Sequence, residues 1–544
     1  MWAILVLLVA ILSIIILLLM FQFIDPLKTK WYVTFFVFLG WGMSFAIPIL
    51  LPIDISSSLF DKCVEQQNKV CEEPFTYIDK KTLVILWNLL YWGTTILCWT
   101  AIPFLQSYCS AGDFHILERI KTSLRENIIF YLVVGFVCGI FLILFLIWNE
   151  NGDWLGIAIA AANAWGLIMV IGMMGYGIVA VPARLIKNIS LKHYLNSLYS
   201  DINDLTEEHE EEEGILSELI TLVKKADEII PITDPMRKCV LIIINEIDPK
   251  RYEATEPSRD FVKSYENLSE LHANIQFQQL KVKQIFYTLH SNVDQVLKYE
   301  NINSNKAPLF QRIYFNIIKK IVSIIALILF IIYSLTVFSS ELLLPFNLPI
   351  LSPLYYIIQS IESSAFLLLI VITVFVIYIA WCVYQTLISM KLFDYYQLFN
   401  NRLSDPGSML FSAAYLCRLC APLALNILHM IKFDGIHFNG TQTAFQSVMS
   451  SMEDIPFFGQ NSFNDFFPVC IVIVSAFSLL NHFIPIPLIF NSILKFFGVR
   501  DHNKLTTAQK IKRGKYISQI FYTRYADYMF TLNASTHLLK QKDD

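Results

Sequence analysis

The stretch Met1-Trp-Ala-Ile-Leu-Val-Leu-Leu-Val-Ala-Ile-Leu-Ser-Ile-Ile-Ile-Leu-Leu-Leu-Met20 contains no charged side chain. About 20 apolar residues in a helix cross the hydrocarbon of a bilayer, where each span must satisfy its own backbone hydrogen bonds. A cleaved signal peptide has a basic start, a shorter apolar core and a small-residue cleavage site. This stretch has none of these, so it reads as a true span.

Similar runs recur along the chain. Windows of about 19 residues place spans near 1–24, 31–53, 83–106, 127–149, 155–181, 314–338, 365–390, 408–431 and 467–494. Hydrophobic residues make up 55% of the 544 and charged residues 16%, against roughly 25% charged in soluble domains. The chain reads as an all-α integral membrane protein with about nine transmembrane helices. A net charge of −4 gives no basic footprint for nucleic acid.

Lys and Arg near the span ends set the orientation. With the N-terminus outside, the inner connections carry Lys28 and Lys30, then Arg119, Lys121 and Arg125, then Arg184 and Lys187. Lys391, Arg402, Lys495, Arg500 and Lys504 follow on the same side, which puts the C-terminus in the cytoplasm. The 54–82 loop dissents, with Lys62, Lys69, Lys80 and Lys81 beside acidic residues. On this topology Cys63 and Cys71 share an outer, oxidising loop where a disulfide is expected. Asn439-Gly-Thr441 is an outer glycosylation sequon, whereas those at Asn188, Asn267 and Asn533 stay bare. A sugar on Asn267 would overturn the topology.

Four regions follow: a five-span part (1–182), a polar insertion (183–313), a four-span part (314–495) and a cytoplasmic tail (496–544). The insertion holds the acidic run Glu207–Glu213 and a turn at Pro231-Ile-Thr-Asp-Pro235. Beyond Ser258, apolar residues at Leu268, Leu271, Ile275, Leu280, Ile285, Leu289, Val293 and Val296 mark an amphipathic helix more than a strict heptad seam. Two long helices folding back as a cytoplasmic hairpin are expected, as a stalk or as a platform for receptors or trafficking proteins. The acidic run reads as a solvated face.

Inside the bundle, Arg418 falls near the middle of the eighth span, where an Arg costs about 2.5–3.5 kcal/mol. Asp54, Glu362 or carbonyls freed by Pro422 are candidate partners. Arg418, Asn163, Asn426 and Asp54 are candidates for binding the head of a lipid or other amphiphile; the alternative for Arg418 is a buried structural clamp, and Asp54, near the outer interface, could instead cap a helix, pair with a cation or bind an ion. Cys417-Arg-Leu-Cys420 has no companion ligands and reads as core, with no metal or other cofactor implied. Ala158, Ala162, Gly166, Gly172, Gly175 and Gly177 suit close helix packing. Pro48 and Pro52 should kink or break the second span, and Pro485 and Pro487, beside Asn481 and His482, the ninth. Phosphate-loop, zinc-protease, nucleophile-elbow and dinucleotide motifs are all missing, which argues against an enzyme.

Several blocks carry a resemblance. Leu51-Pro-Ile-Asp-Ile-Ser-Ser-Ser58, Phe104-Leu-Gln-Ser-Tyr-Cys-Ser-Ala-Gly112, Ile157-Ala-Ile-Ala-Ala-Ala-Asn-Ala-Trp-Gly-Leu167 and Gly175-Tyr-Gly-Ile-Val-Ala-Val-Pro182 are four of them. Pro235-Met-Arg-Lys-Cys239, Phe393-Asp-Tyr-Tyr396 and Leu416-Cys-Arg-Leu-Cys-Ala-Pro-Leu-Ala-Leu-Asn426 complete the set. Together, in order along nearly the whole chain, they resemble the limb-region (LMBR-type, lipocalin-receptor-like) membrane protein family and, within it, the branch called limb-region domain-containing protein two. The resemblance implies nine spans, an outer N-terminus and a cytoplasmic coiled-coil loop after the fifth span. It also implies a regulator or adaptor in receptor uptake, transporter escort or G-protein-coupled receptor signalling, at the plasma membrane or, alternatively, an endolysosomal one. No family active site carries over.

Overall fold

The computed structural model describes residues 2–65, 72–148, 154–254, 261–304, 306–344, 353–361, 364–391, 396–431, 442–449, 462–483 and 508–521. Every extended regular element among them is helical. In chain order these are α1 (Trp2–Phe23), α2 (Trp31–Glu65), α3 (Lys80–Ile96), α4 (Ile102–Ser110), α5 (Ile116–Trp148) and α6 (Trp154–Ile189). Then come α7 (Leu191–Ile229), α8 (Arg237–Glu246), α9 (Pro249–Ala254), α10 (Tyr265–Asn303), α11 (Leu309–Ile313) and α12 (Lys319–Leu343). The last are α13 (Pro353–Ile361), α14 (Ala365–Ser389), α15 (Pro406–Ile431), α16 (Ala444–Met449), α17 (Ser462–Phe483) and α18 over 508–521.

Eight helical segments among the described residues are long and apolar enough to cross a membrane. α17 carries a shorter apolar stretch, Phe467–Leu480. The rest of the expected ninth span, with Pro485 and Pro487, lies outside the described residues. α1 shows why lipid is the solvent here: Val6, Leu7 and Leu18 are more than half exposed, and a helix apolar all round is stable only in hydrocarbon.

The second span is not broken at its prolines. α2 runs unbroken through Pro48 and Pro52 to Glu65, well past 53. Pro48 lacks an N–H, so the carbonyl of Ser44 loses its helical donor. The Tyr384 hydroxyl takes that place at 2.9 Å. With the freed carbonyl satisfied and positions 50–58 buried, the helix continues.

The chain divides into two compact units. The first comprises Met1–Cys109, Ile120–Ala183 and Ile328–Ser492. Its core forms where α15 lies along α2: a Cβ on Gly40 would meet that of Ala413 at 2.9 Å, and Trp41 Nε1 donates to Ser412 Oγ at 3.1 Å.

The second unit comprises Ser110–Arg119, Arg184–Leu327 and Ile493–Asp544. α7 and α10 pack along each other in opposite directions: Tyr194 reaches Gln295 near one end, and Glu212 takes Gln278 further along. The Glu207–Glu213 run is only in part the solvated face expected from its charge: Glu210 and Glu211 are exposed, but other members are drawn into ion pairs. Glu212 is buried and pairs with Lys281 at 2.8 Å, Glu213 takes Arg251 at 2.8 Å, and Glu207 takes Arg513 of α18 at 2.6 Å. The loop 110–119 docks on α10, where Gly112 is obligatory because a Cβ would fall 2.0 Å from the Ser269 carbonyl.

Candidate functional site

The intramembrane candidates separate into three places, all in the first unit. Asp54 is fully buried, and its two oxygens accept from Ala444 N at 3.0 Å, Phe445 N at 2.8 Å, Trp87 Nε1 at 2.8 Å and Ser58 Oγ at 3.2 Å. A carboxylate has about four lone-pair sites, so Asp54 is taken up as the anchor of α16. It is therefore not the counter-ion of Arg418. Glu362, the other acidic candidate, lies outside the described residues.

Arg418 is half-buried and sits among aromatic rings. Its guanidinium carbon lies 5.1 Å from the Trp99 ring centroid and 5.5 Å from that of Tyr415. Such stacking supplies about 0.5–2 kcal/mol and offsets part of the membrane cost. Trp99 belongs to a widened turn with π-type hydrogen bonding, Leu97–Ala101, inserted between α3 and α4. Such turns recur at functional sites. The turn is pinned from both sides: Cys98 Sγ donates to the Ala414 carbonyl at 3.2 Å, and the Tyr131 hydroxyl donates to the Trp99 carbonyl. Arg418 also neighbours the Cys98 thiol. Arg418 Nε has no hydrogen-bond partner. Pro422 leaves the carbonyl of Arg418 itself without its helical donor, and Gly166 of α6 abuts it, since a Cβ there would stand 2.8 Å away.

Asn426 lies apart from Arg418, two helical turns on, and its Nδ2 donates to Glu341 Oε1 at 2.7 Å. Asn163 falls on α6, but its side chain is outside the described part, as are those of Ala158 and Ala162. Gly175 and Gly177 are close approaches: a Cβ on Gly177 would meet the Cys382 carbonyl oxygen at 2.4 Å. Gly172 faces open space. Cys63 is disulfide-bonded. Cys71 and Asn439 lie outside the described residues. Among the described residues no cluster of His, Cys, Asp and Glu could hold a metal.

Sequence reasoning passed over Glu341, Trp99, Tyr415 and Tyr384. Glu341 had a signal, a single acid ending a long apolar run; the aromatic partners had none, because their roles depend on which helices meet.

In the second unit, His272 of α10 is buried and holds the 110–119 loop. Its Nδ1–H donates to the Gly112 carbonyl at 2.6 Å, and its ring stacks on Phe114 at 4.8 Å between centroids. Ser269 Oγ donates to Asp113 at 3.2 Å, and the Tyr265 hydroxyl donates to Glu118, which together with burial pushes that phenol above its ordinary range. α8 presents Leu241 and Ile242 exposed, 44% and 42%, on the side away from its buried Val240 and Ile243.

Residues 1–483 match the family described as LMBR1-like membrane protein. The chain is 30% identical over 526 residues to LMBR1 domain-containing protein 2 homolog A of Dictyostelium discoideum, covering 85% of this chain and 71% of that one. It is 28% identical over 509 residues to the G-protein coupled receptor-associated protein LMBRD2 of Homo sapiens, covering 80% and 72%. The LMBR1 domain-containing protein 2 homolog of Drosophila melanogaster is 27% identical over 515 residues, covering 83% and 73%. No solved structure matches. An all-helical chain with many apolar spans, matched along most of its length, belongs to the LMBR1-like membrane protein family.

Proposed function

We propose that this protein is a multi-pass regulator or adaptor that associates with G-protein coupled receptors, as the printed name of the human relative says of that protein. In this reading the spans anchor the chain, and the helical insertion at 183–313 engages the receptor or its trafficking machinery from the cytoplasm. One observation carries the reading. The polar part of the chain builds cores of its own, around Val223, Ile243 and Ile275 and around Ile202 and Val296, and still leaves apolar Leu241 and Ile242 in water. Adjacent apolar side chains left in water on a helix that is packed on its other face offer a partner a place to bury them. The N-terminus outside, a Cys63–Cys71 disulfide, a glycan on Asn439 and residence at the plasma membrane belong to the same reading. Deletion of about 200–300 should abolish receptor recovery in detergent extracts while the spans still insert. Unchanged recovery would refute the adaptor role.

A second reading rests on Arg418. A membrane guanidinium stacked on Trp99 with a free Nε suits the acidic head of a lipid or other amphiphile. Arg418→Ala should then lose binding of a labelled anionic phospholipid without losing expression. Degradation of the variant would instead identify a structural clamp.

A further inference from the structure

Glu341 stands in the last turn of α12, with none of its surface exposed, and Asn426 is 1% exposed. One edge of the pair is closed by the Asn426 Nδ2 donation to Glu341 Oε1; the same Nδ2 contacts Met174 Sδ of α6 at 3.4 Å. The other edge is open: Glu341 Oε2 and Asn426 Oδ1 both lack a hydrogen-bond partner. Both atoms are acceptors, and no described Lys, Arg or His pairs with Glu341. Buried polar groups in native proteins are almost always satisfied, so two orphans on one contacting pair call for a missing donor.

A metal cation fits poorly. Hard cations take six or so oxygen ligands, whereas this pair offers the two carboxylate oxygens and one amide oxygen beside a thioether. A hydrogen on Oε2 fits. It makes that oxygen a donor and neutralises the charge in a site closed to water.

Glu341 has Asn426 as its one interacting side chain among the described residues: Tyr333 of α12, Tyr384 of α14, Tyr415, Cys417, Arg418 and Cys420 of α15, and Arg184 and Lys187 of α6 do not bond it. Ser334 ties α12 to both α6 and α14, where Tyr378 bonds Ser334 and the Phe330 carbonyl. α14 also carries Cys382, α6 carries Tyr176, and α15 carries His429, which has a contact of its own. Tyr356 lies on α13, which packs on α15. None of these bonds Glu341.

We propose that Glu341 and Asn426 form an intramembrane proton-binding site, with the proton carried on Glu341 Oε2. Release passes the proton to water and leaves one negative charge between α12 and α15. Those helices must then admit water or separate, so occupancy of the site sets how tightly they pack.

The test is difference infrared spectroscopy of the full chain in lipid nanodiscs. Near neutral pH the parent should show a protonated-carboxyl stretch that shifts in heavy water and disappears in Glu341→Gln. That variant should fold as the parent does, because its amide N–H replaces the acid's O–H. In Asn426→Leu the band should move to higher frequency as its hydrogen bond is lost. If this variant does not fold, the parent's thermal stability should fall with rising pH while that of Glu341→Gln stays flat. Identical carboxyl spectra for parent and Glu341→Gln, or identical pH profiles, would overturn the proposal.

Discussion

The hydroxyl of Tyr384 donates to the carbonyl of Ser44, the one that Pro48 deprives of its helical partner. α14 thus repairs a fault in α2, and the two are joined at a point fully closed to solvent.

Removing the donor exposes the fault. Tyr384→Phe should destabilise the bundle by about 1–3 kcal/mol, the cost of an unsatisfied buried carbonyl. Adding Pro48→Ala restores the N–H, so the double variant should recover part of that loss. Thermal unfolding of the purified protein in detergent, run as a double-mutant cycle, measures the coupling. Equal, additive losses would show that the repair is not as described.

Glu212 is the buried member of the acidic run. Glu212→Ala strands Lys281 and should cost about 3 kcal/mol, as breaking a buried ion pair does. Glu212→Leu with Lys281→Met removes both charges and should be close to neutral. Hydrogen exchange over 205–220 and 274–285 should rise in the first variant and return toward the parent in the second.

The turn at 231–236 should loosen in acid. Lys263 and the Met236 N–H hold the Asp234 carboxyl below its ordinary range. A depressed carboxylate stabilises the folded form above its unfolded ionisation, and that contribution is lost as pH falls through its folded one. Amide exchange in the turn, corrected for intrinsic rates, should therefore accelerate on acidification. In Asp234→Asn the extra acceleration should vanish.

Much of this was legible because lipid imposes one strong rule. A span needs a long apolar helix, and all eight described spans overlap runs read from sequence. The end of α2 was not legible. Pro48 and Pro52 argue locally for a break, and the repair comes from Tyr384, remote in sequence. The acidic run was legible only in part: Glu210 and Glu211 face solvent as its charge suggests, but Lys281 and Arg513 reach Glu212 and Glu207 only after folding. At the candidate site, Arg418 and Asn426 stood out as polar residues in an apolar run. Asp54 did too, and a helix cap was one of its readings, but which helix it caps, the one that starts at Ala444 and Phe445, needed the fold. Glu341 gained its meaning only beside Asn426.

If the polar helical unit engages receptors as proposed, its exposed apolar residues are the most direct place to break that contact. Leu241→Asp with Ile242→Asp alters two outward side chains and leaves Val240 and Ile243 in the core. Receptor recovery with the full-length double variant, normalised to its amount in the membrane, should fall at least about tenfold, a loss of about 1.4 kcal/mol. Recovery equal to the parent, with the variant inserted and folded, would contradict the account.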